Sequence, residues 1–247
     1  MEKIGTIIEL WRYPVSSTAG ERVEVLNVTP DGIPHERDYG IVEVASGAIS
    51  DPGREERWRP TLLVQTRLTG DGSAEIRVPG GAWHGVLSEE AQRELSAFFG
   101  FEVEVRPYEG RQPQGYLGRL TANRYGPSPL HVLTTASLAE LGRLHPNGVA
   151  DARRFRPNIV IDMQPVAGRF PETEWIGGEL TVGALQLAIT EPTRRCGLTI
   201  LGQEGVPFDP EILRQLVRNN GHNIGVYCRP SKTADLKVGD EVFLIQA

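Results

Sequence analysis

The chain holds 247 residues, 39% of them hydrophobic and 23% charged, with a net charge of −6. That is enough to bury a core in one large β-rich domain or two modest ones, and the acidic balance excludes a broad nucleic-acid surface, which needs clustered basic charge. No stretch approaches the roughly 18 apolar residues of a membrane span. Met1-Glu2-Lys3-Ile4-Gly5-Thr6 shows no signal-peptide pattern, so a cytoplasmic protein without nucleic-acid or membrane partners is expected.

Taken in chain order, the predicted elements are mostly short strands. Lys3–Trp11, Glu21–Val28, Tyr39–Val44, Thr61–Arg67 and Ala74–Val78 are rich in β-branched residues and bounded by Gly, Pro or Asp. Gly70-Asp71-Gly72-Ser73 supplies a turn. Ser88-Glu89-Glu90 opens a helix that runs to Phe99 and stops at Gly100, with acidic residues at its positive end. Glu102–Arg106 is the next strand. Four prolines (Pro107, Pro113, Pro127, Pro129) then make the loop-rich stretch 107–130 the best boundary, dividing the chain into residues 1–110 and 111–247.

Beyond the boundary come strands over His131–Leu133, Asn158–Asp162, Glu179–Val182, Leu185–Glu191, Ile224–Cys228 and Glu241–Ile245. Thr135–Leu144 has leucines spaced for one helical face. Asp209-Pro210-Glu211 starts a third helix, an N-cap followed by proline at the first helical position, which ends at Asn220-Gly221. Many short strands with few helices predict a mainly β to α+β fold. The C-terminal unit reads as β-barrel-like with peripheral helices, the N-terminal unit as β-rich.

Only three of the 26 basic residues are lysines (Lys3, Lys232, Lys237). That scarcity disfavours a pyridoxal-phosphate Schiff base, whereas arginine grips phosphate through a two-pronged fork. Two cysteines, Cys196 and Cys228, make neither a disulfide framework nor a zinc ribbon. The five histidines lack metal-site spacing, and no dinucleotide, Walker or serine-hydrolase motif is present.

Two segments stand out. Arg154-Phe155-Arg156-Pro157-Asn158 leads into a short apolar strand, and Thr193-Arg194-Arg195-Cys196 sets a thiol beside two guanidiniums. Read locally, Cys196 is either a thiolate favoured by Arg194 or Arg195, suited to a soft metal or to nucleophilic attack, or a buried cysteine at a strand end. Arg156 and Asn158 offer donors and an acceptor for a phosphate or a heterocycle edge, or simply lead a loop into a strand. Tyr13-Pro14-Val15-Ser16-Ser17 and His35-Glu36-Arg37-Asp38 follow the first two strands and carry hydroxyls and an arginine that could line an anion pocket.

In this order the segments resemble the MOSC family, the molybdenum cofactor sulfurase C-terminal domain. The likeness is to two-part members with an N-terminal β-barrel domain, similar to the mitochondrial amidoxime-reducing component and bacterial N-hydroxylated-base reductases. Trp11-Arg12-Tyr13-Pro14-Val15, Leu133-Thr134-Thr135-Ala136-Ser137-Leu138, Arg154–Asn158, Arg195-Cys196 and Val238-Gly239-Asp240-Glu241-Val242 carry the resemblance. It implies a molybdenum cofactor (molybdenum held by molybdopterin) with Cys196 as the catalytic metal ligand. Ser17, Arg37, Thr134, Arg156, Asn158 and Arg195 would bind that cofactor.

The implied activity is reduction of N-oxygenated compounds such as amidoximes, hydroxylamines and N-oxides. With no cysteine cluster for an iron–sulfur centre in the chain, electrons would come from separate ferredoxin, flavodoxin or cytochrome-type proteins with a reductase. Alternatives are a sulfur or cofactor carrier using a Cys196 persulfide, and a metal-free barrel acting on another small anion. Two departures make the pocket less positive: Ser16 stands where the family usually has lysine, and His35-Glu36-Arg37 replaces the common Gly-Asp-Arg.

Overall fold

The structure is a computed structural model and describes residues 1–123 and 130–246. Pro127 and Pro129 of the expected boundary lie outside the described residues. The chain forms two compact units. One comprises Met1–Arg12, Arg22–Pro34 and the described residues from Leu130 onward; the other comprises Tyr13–Glu21 and the described residues from His35 to Asn123. The linear segments 1–110 and 111–247 are therefore interleaved, because the opening strand Glu2–Arg12 pairs with strands from the far end of the sequence.

The first unit is a closed barrel. Its strands are β1 (Glu2–Arg12), then β2 (Glu21–Val23) and β3 (Val25–Val28), and, after β4–β8 of the other unit, β9 (Leu130–Thr134) to β15. The later ones are β10 (Ile159–Asp162), β11 (Glu179–Val182), β12 (Leu185–Arg194), β13 (Asn223–Pro230), β14 (Ala234–Lys237) and β15 (Glu241–Ile245). The ring runs β10-β9-β13-β12-β11-β15-β1 and closes because β1 also pairs with β10. Closure leaves no free edge among these strands, which removes the usual liability of an exposed ladder.

Alternation fills the barrel. β12 reads Leu185, Leu187 and Ile189 inward with Gln186, Ala188 and Thr190 outward, the period of two that a half-buried strand requires. Leu10, Leu180, Val226 and Val242 complete the same interior. β1 crosses close over β10 at Gly5, where a Cβ would stand 1.9 Å from the Asp162 carbonyl oxygen. β9 and β10 are the parallel pair of the ring, and parallel neighbours need a crossover. Here it contains helix α2 (Thr135–Leu144), whose Leu141 packs with Phe155, Ile212 and Leu216 in a second apolar layer outside the barrel. Helix α3 (Pro210–Asn220) supplies the last two of these, capped by Asp209 at its start and by left-handed Gly221 at its end.

The second unit holds β4 (Tyr39–Glu43) paired with β8 (Val103–Pro107), and a sheet of β5 (Gln65–Leu68), β6 (Ala74–Arg77) and β7 (His84–Gly85). Helix α1 (Glu89–Phe99) starts on the Ser88 hydroxyl and ends at left-handed Gly100, as its caps predict. Its core centres on Trp58, edge-on to Phe99 and Phe101 at 5.5 and 5.0 Å.

The mainly β architecture and all three helices agree with the sequence reading. Two strands do not. Thr61–Arg67 is strand only from Gln65, because Glu56–Leu63 winds into a 3₁₀ helix around Pro60, which has no N–H for a ladder. Glu21–Val28 breaks at Glu24: its first half pairs with β1 outside the ring, and its second half pairs with β14.

Candidate functional site

Cys196 follows the end of β12, where that strand leaves its pairing with Asn223. Its backbone is extended, and its carbonyl accepts the Thr199 N–H at 3.1 Å and the Thr199 hydroxyl at 2.9 Å, so it opens the short 3₁₀ helix Gly197–Ile200. The thiol is exposed, whereas Cys228 is wholly buried in β13 with its thiol pKa pushed up by loss of solvent. Of the two cysteines only Cys196 can meet a ligand, and the strand-end cysteine is not buried.

The neighbouring arginines do different work from what adjacency suggests. Arg194 faces solvent. The Arg195 guanidinium donates to the Phe155 carbonyl from Nη1 (2.8 Å) and to the Ile224 carbonyl from Nη2 (3.0 Å) and Nε (3.2 Å). Arg154, fully buried, reaches the opposite way. Its Nε donates to the Val149 carbonyl (2.9 Å) and Nη2 to the Pro207 carbonyl (2.7 Å), while Nη1 spans the longer distances to Thr199 (3.3 Å) and Leu201 (3.4 Å). The two motifs therefore brace one another: an arginine of the second holds the first, and an arginine of the first holds the turn that Cys196 opens. No sequence signal marks Arg154 for this role, because its acceptors are backbone carbonyls up to 53 residues away.

Asn158 is also a stitch. Its Oδ1 accepts the His131 N–H (3.0 Å) and its Nδ2 donates to the Trp11 carbonyl (3.3 Å), while its own N–H and carbonyl bond His131 and Trp11. A side-chain amide here imitates backbone where β1, β9 and the start of β10 diverge. Arg156, two residues earlier, is 9% exposed and left-handed at φ +52°. The third residue meeting here is His131, whose ring lies between Arg195 and Arg156.

Thr134, expected to bind cofactor, is fully buried and faces elsewhere. Its hydroxyl caps α2 by accepting the Ser137 N–H at 3.1 Å, and donates to Glu172 Oε1 at 2.8 Å. The Thr134 N–H donates to that same oxygen at 2.6 Å, and the Ser137 hydroxyl donates to Glu172 Oε2. The helix start needs its cap, so Thr134 supports the β9–α2 junction.

Burial raises the pKa of Glu172 above the ordinary carboxylate value, with these hydrogen bonds opposing it. A raised folded value means that the folded state holds the proton more tightly. The resulting stabilisation is complete below the unfolded value and is lost as pH rises through the folded one. Glu172→Gln keeps the shape and one carbonyl acceptor, removes the charge, and requires the Ser137 hydroxyl to turn and accept from the new amide. Melting temperatures measured against pH should fall more steeply for the wild type than for this variant above the carboxylate range; parallel curves would refute the assignment.

The other two candidates belong to the second unit. Ser17 and Arg37 are left-handed, at φ +65° and +54°. Five non-glycine residues adopt this conformation among the described residues, and Ser17, Arg37 and Arg156 are three of them. Such backbone costs energy in non-glycine residues and concentrates at ligand sites. The Arg37 N–H donates to the Tyr13 carbonyl (2.8 Å), and Arg37 Nη2 lies 3.5 Å from Glu36 Oε1. Buried Glu36 also accepts the Tyr13 N–H at 2.7 Å, so the carboxylate that departs from the family pattern folds this loop. Ser16 is fully buried with its hydroxyl 2.8 Å from that of Tyr108.

A closed β-barrel unit carrying an exposed cysteine on an arginine-braced turn, together with a second β-rich unit, defines a two-part β protein. The chain belongs to the MOSC family: the MOSC domain matches residues 121–243 and the MOSC N-terminal beta barrel domain residues 4–107. It is 26% identical to mitochondrial amidoxime-reducing component 1 of Mus musculus, over 99% of this chain and 84% of that protein. Mitochondrial amidoxime reducing component 2 of Bos taurus is 24% identical over 98% and 84%. Molybdenum cofactor sulfurase of Drosophila grimshawi is 26% identical over 86% of this chain and 30% of its own length. The crystal structure of the YUAD protein of Bacillus subtilis shares the fold, with a TM-score of 0.50 and 12% identity over 98% and 96% of the two chains.

Proposed function

We propose that this chain is a molybdenum-cofactor oxidoreductase that reduces N-oxygenated compounds of the amidoxime, hydroxylamine or N-oxide type, with electrons delivered by separate redox proteins. The names of its amidoxime-reducing relatives support the reaction class. The observation that carries it is the exposed Cys196 thiol on a turn fixed by Arg154, in the unit that holds most of the MOSC match. On this reading sequence segment 1–110 carries the N-terminal domain and 111–247 the MOSC domain, with strand β1 of the first segment completing the barrel of the second.

The donor set fits such a group. Among the described residues, no three His, Cys, Asp or Glu side chains stand together to hold a metal by themselves. One exposed soft thiol beside arginines instead suits a metal that arrives with its own sulfur donors and an anionic tail. When bound, such a cofactor would supply two-electron redox chemistry of the oxygen-atom-transfer kind. Cys196 would contribute the protein thiolate. Arg156 and Arg195 would supply positive charge, and Arg37 with Ser17 would supply a guanidinium and a hydroxyl. Asn158 and Thr134 hold the strands and the helix start on which these residues ride.

No helix of the described residues is long and apolar enough to cross a membrane. The test is metal and pterin analysis of the chain purified from a cofactor-competent host. Molybdenum and pterin equimolar with the chain are expected, and a chain free of both refutes the proposal.

A further inference from the structure

The second unit holds a cavity of about 520 Å³, lined by its own residues from His35 to Gln114. That is the size of a small-molecule pocket, about 300–1,000 Å³, and none of the candidate cofactor residues lines it. Ala74 and Val86, both nearly buried, give it apolar surface together with Pro113. Its polar side is more specific. Tyr39 is 9% exposed and belongs to the apolar core that holds Val15, Ile41 and Trp58, yet its hydroxyl has no hydrogen-bond partner among the described residues. A buried phenol ordinarily has one.

Asp38 and Arg111 line the same cavity. Asp38 Oδ2 lies 3.2 Å from His35 Nδ1, and Oδ1 lies 3.4 Å from Arg111 Nη1. That Nη1 also donates to the Glu36 carbonyl at 2.9 Å, while Nε and Nη2 of Arg111 have no partner among the described residues. The Asp38 and Arg111 side chains are only 15% and 22% exposed. Burial raises the pKa of the Asp38 carboxyl, with His35 and Arg111 opposing it, and burial followed by the Asp38 charge raises that of the Tyr39 phenol. Asp71, the other carboxylate of the lining, is exposed and accepts from the Thr69 hydroxyl and the Ser73 N–H, so water screens it and the turn holds it.

A carboxylate only accepts, a guanidinium only donates, and a phenol does both. The two poorly solvated charges also set the charge of the ligand. An anion drawn to Arg111 meets Asp38, and a cation drawn to Asp38 meets Arg111, so in either case repulsion offsets the attraction. We propose that this cavity binds a neutral, planar molecule with an N–H donor beside a carbonyl acceptor, the edge of an amide, a lactam or a urea. Asp38 accepts its N–H, Arg111 donates to its carbonyl oxygen, the Tyr39 hydroxyl makes a third hydrogen bond, and Ala74, Val86 and Pro113 receive its apolar body. The inference rests on the second unit alone and stands whatever the chain does with molybdenum.

The test is calorimetric titration of the chain with benzamide, benzoate and benzamidine, which share one ring and are neutral, anionic and cationic at neutral pH. Benzamide should bind with a dissociation constant on the order of 0.1–1 mM, the range open to a few hydrogen bonds and one buried ring. The two charged analogues should bind about tenfold more weakly. Tyr39→Phe keeps the ring in the core and deletes the hydroxyl, so it should weaken benzamide about fivefold with the melting temperature unmoved. Asp38→Asn leaves the guanidinium unopposed and should turn the preference to benzoate.

A wild-type preference for benzoate or benzamidine, equal binding of all three, or no saturation by any of them overturns the proposal. Benzamide binding that Tyr39→Phe leaves untouched puts the ligand elsewhere on the chain and overturns it as well. So does an Asp38→Asn variant that still prefers benzamide, because the opposed charges would then not set the selectivity.

Discussion

On the proposed function, Cys196→Ser is expected to strip molybdenum from the purified chain while leaving it folded. The thiol is exposed and its side chain caps nothing; the turn is held through the Cys196 backbone carbonyl, which serine retains. A surface change of this kind shifts stability by no more than about 0.5 kcal/mol. The chemistry changes far more, because a hydroxyl is a hard donor and a thiolate a soft one. Reductase activity and metal content should fall together, with the melting temperature of the metal-free chain unmoved. Cys228→Ser is the matching control. It replaces a thiol sealed inside β13, so it should cost stability and keep the metal. If the Cys196 variant holds molybdenum at the wild-type level, Cys196 is not its ligand.

Arg154→Met should be the most destabilising of the substitutions considered. Methionine replaces the aliphatic stem and removes the fork, leaving the Val149 and Pro207 carbonyls short of their strongest donors, with Thr199 and Leu201 losing longer contacts. Each abandoned buried acceptor costs about 1–3 kcal/mol, so a loss of roughly 3–4 kcal/mol in denaturant unfolding is expected. Arg154→Lys should recover little of it, since an ammonium cannot span carbonyls that a planar fork reaches. The consequence for function is indirect. With the Gly197–Ile200 turn released, Cys196 loses its fixed place, so metal retention should fall even under conditions where the variant is folded. A stability change below about 1 kcal/mol would show that the turn does not depend on Arg154.

Much of this was legible in sequence where the physics is local. Ser88, Asp209 and the two glycines Gly100 and Gly221 mark helix ends because a cap acts within one turn of its own position. The alternation of Leu185, Leu187 and Ile189 marks a barrel strand for the same reason. The tie between Thr134 and Glu172 is not legible, because Glu172 comes from a distant 3₁₀ helix. His131 and Gly225 meet because β9 pairs with β13, and that pairing cannot be read from either segment.

The sequence by itself determined the element types, the mainly β class and the ordered motifs that lead to Cys196. Only the tertiary structure decided which cysteine is exposed, that the Arg154 and Arg195 forks brace each other's segments, and that Asn158 and Thr134 hold the frame. The reason is chemical. The acceptors that give these side chains their roles are backbone carbonyls far along the chain, and a carbonyl is the same at every residue. No residue type announces it, so only the fold can say which carbonyl an arginine will find.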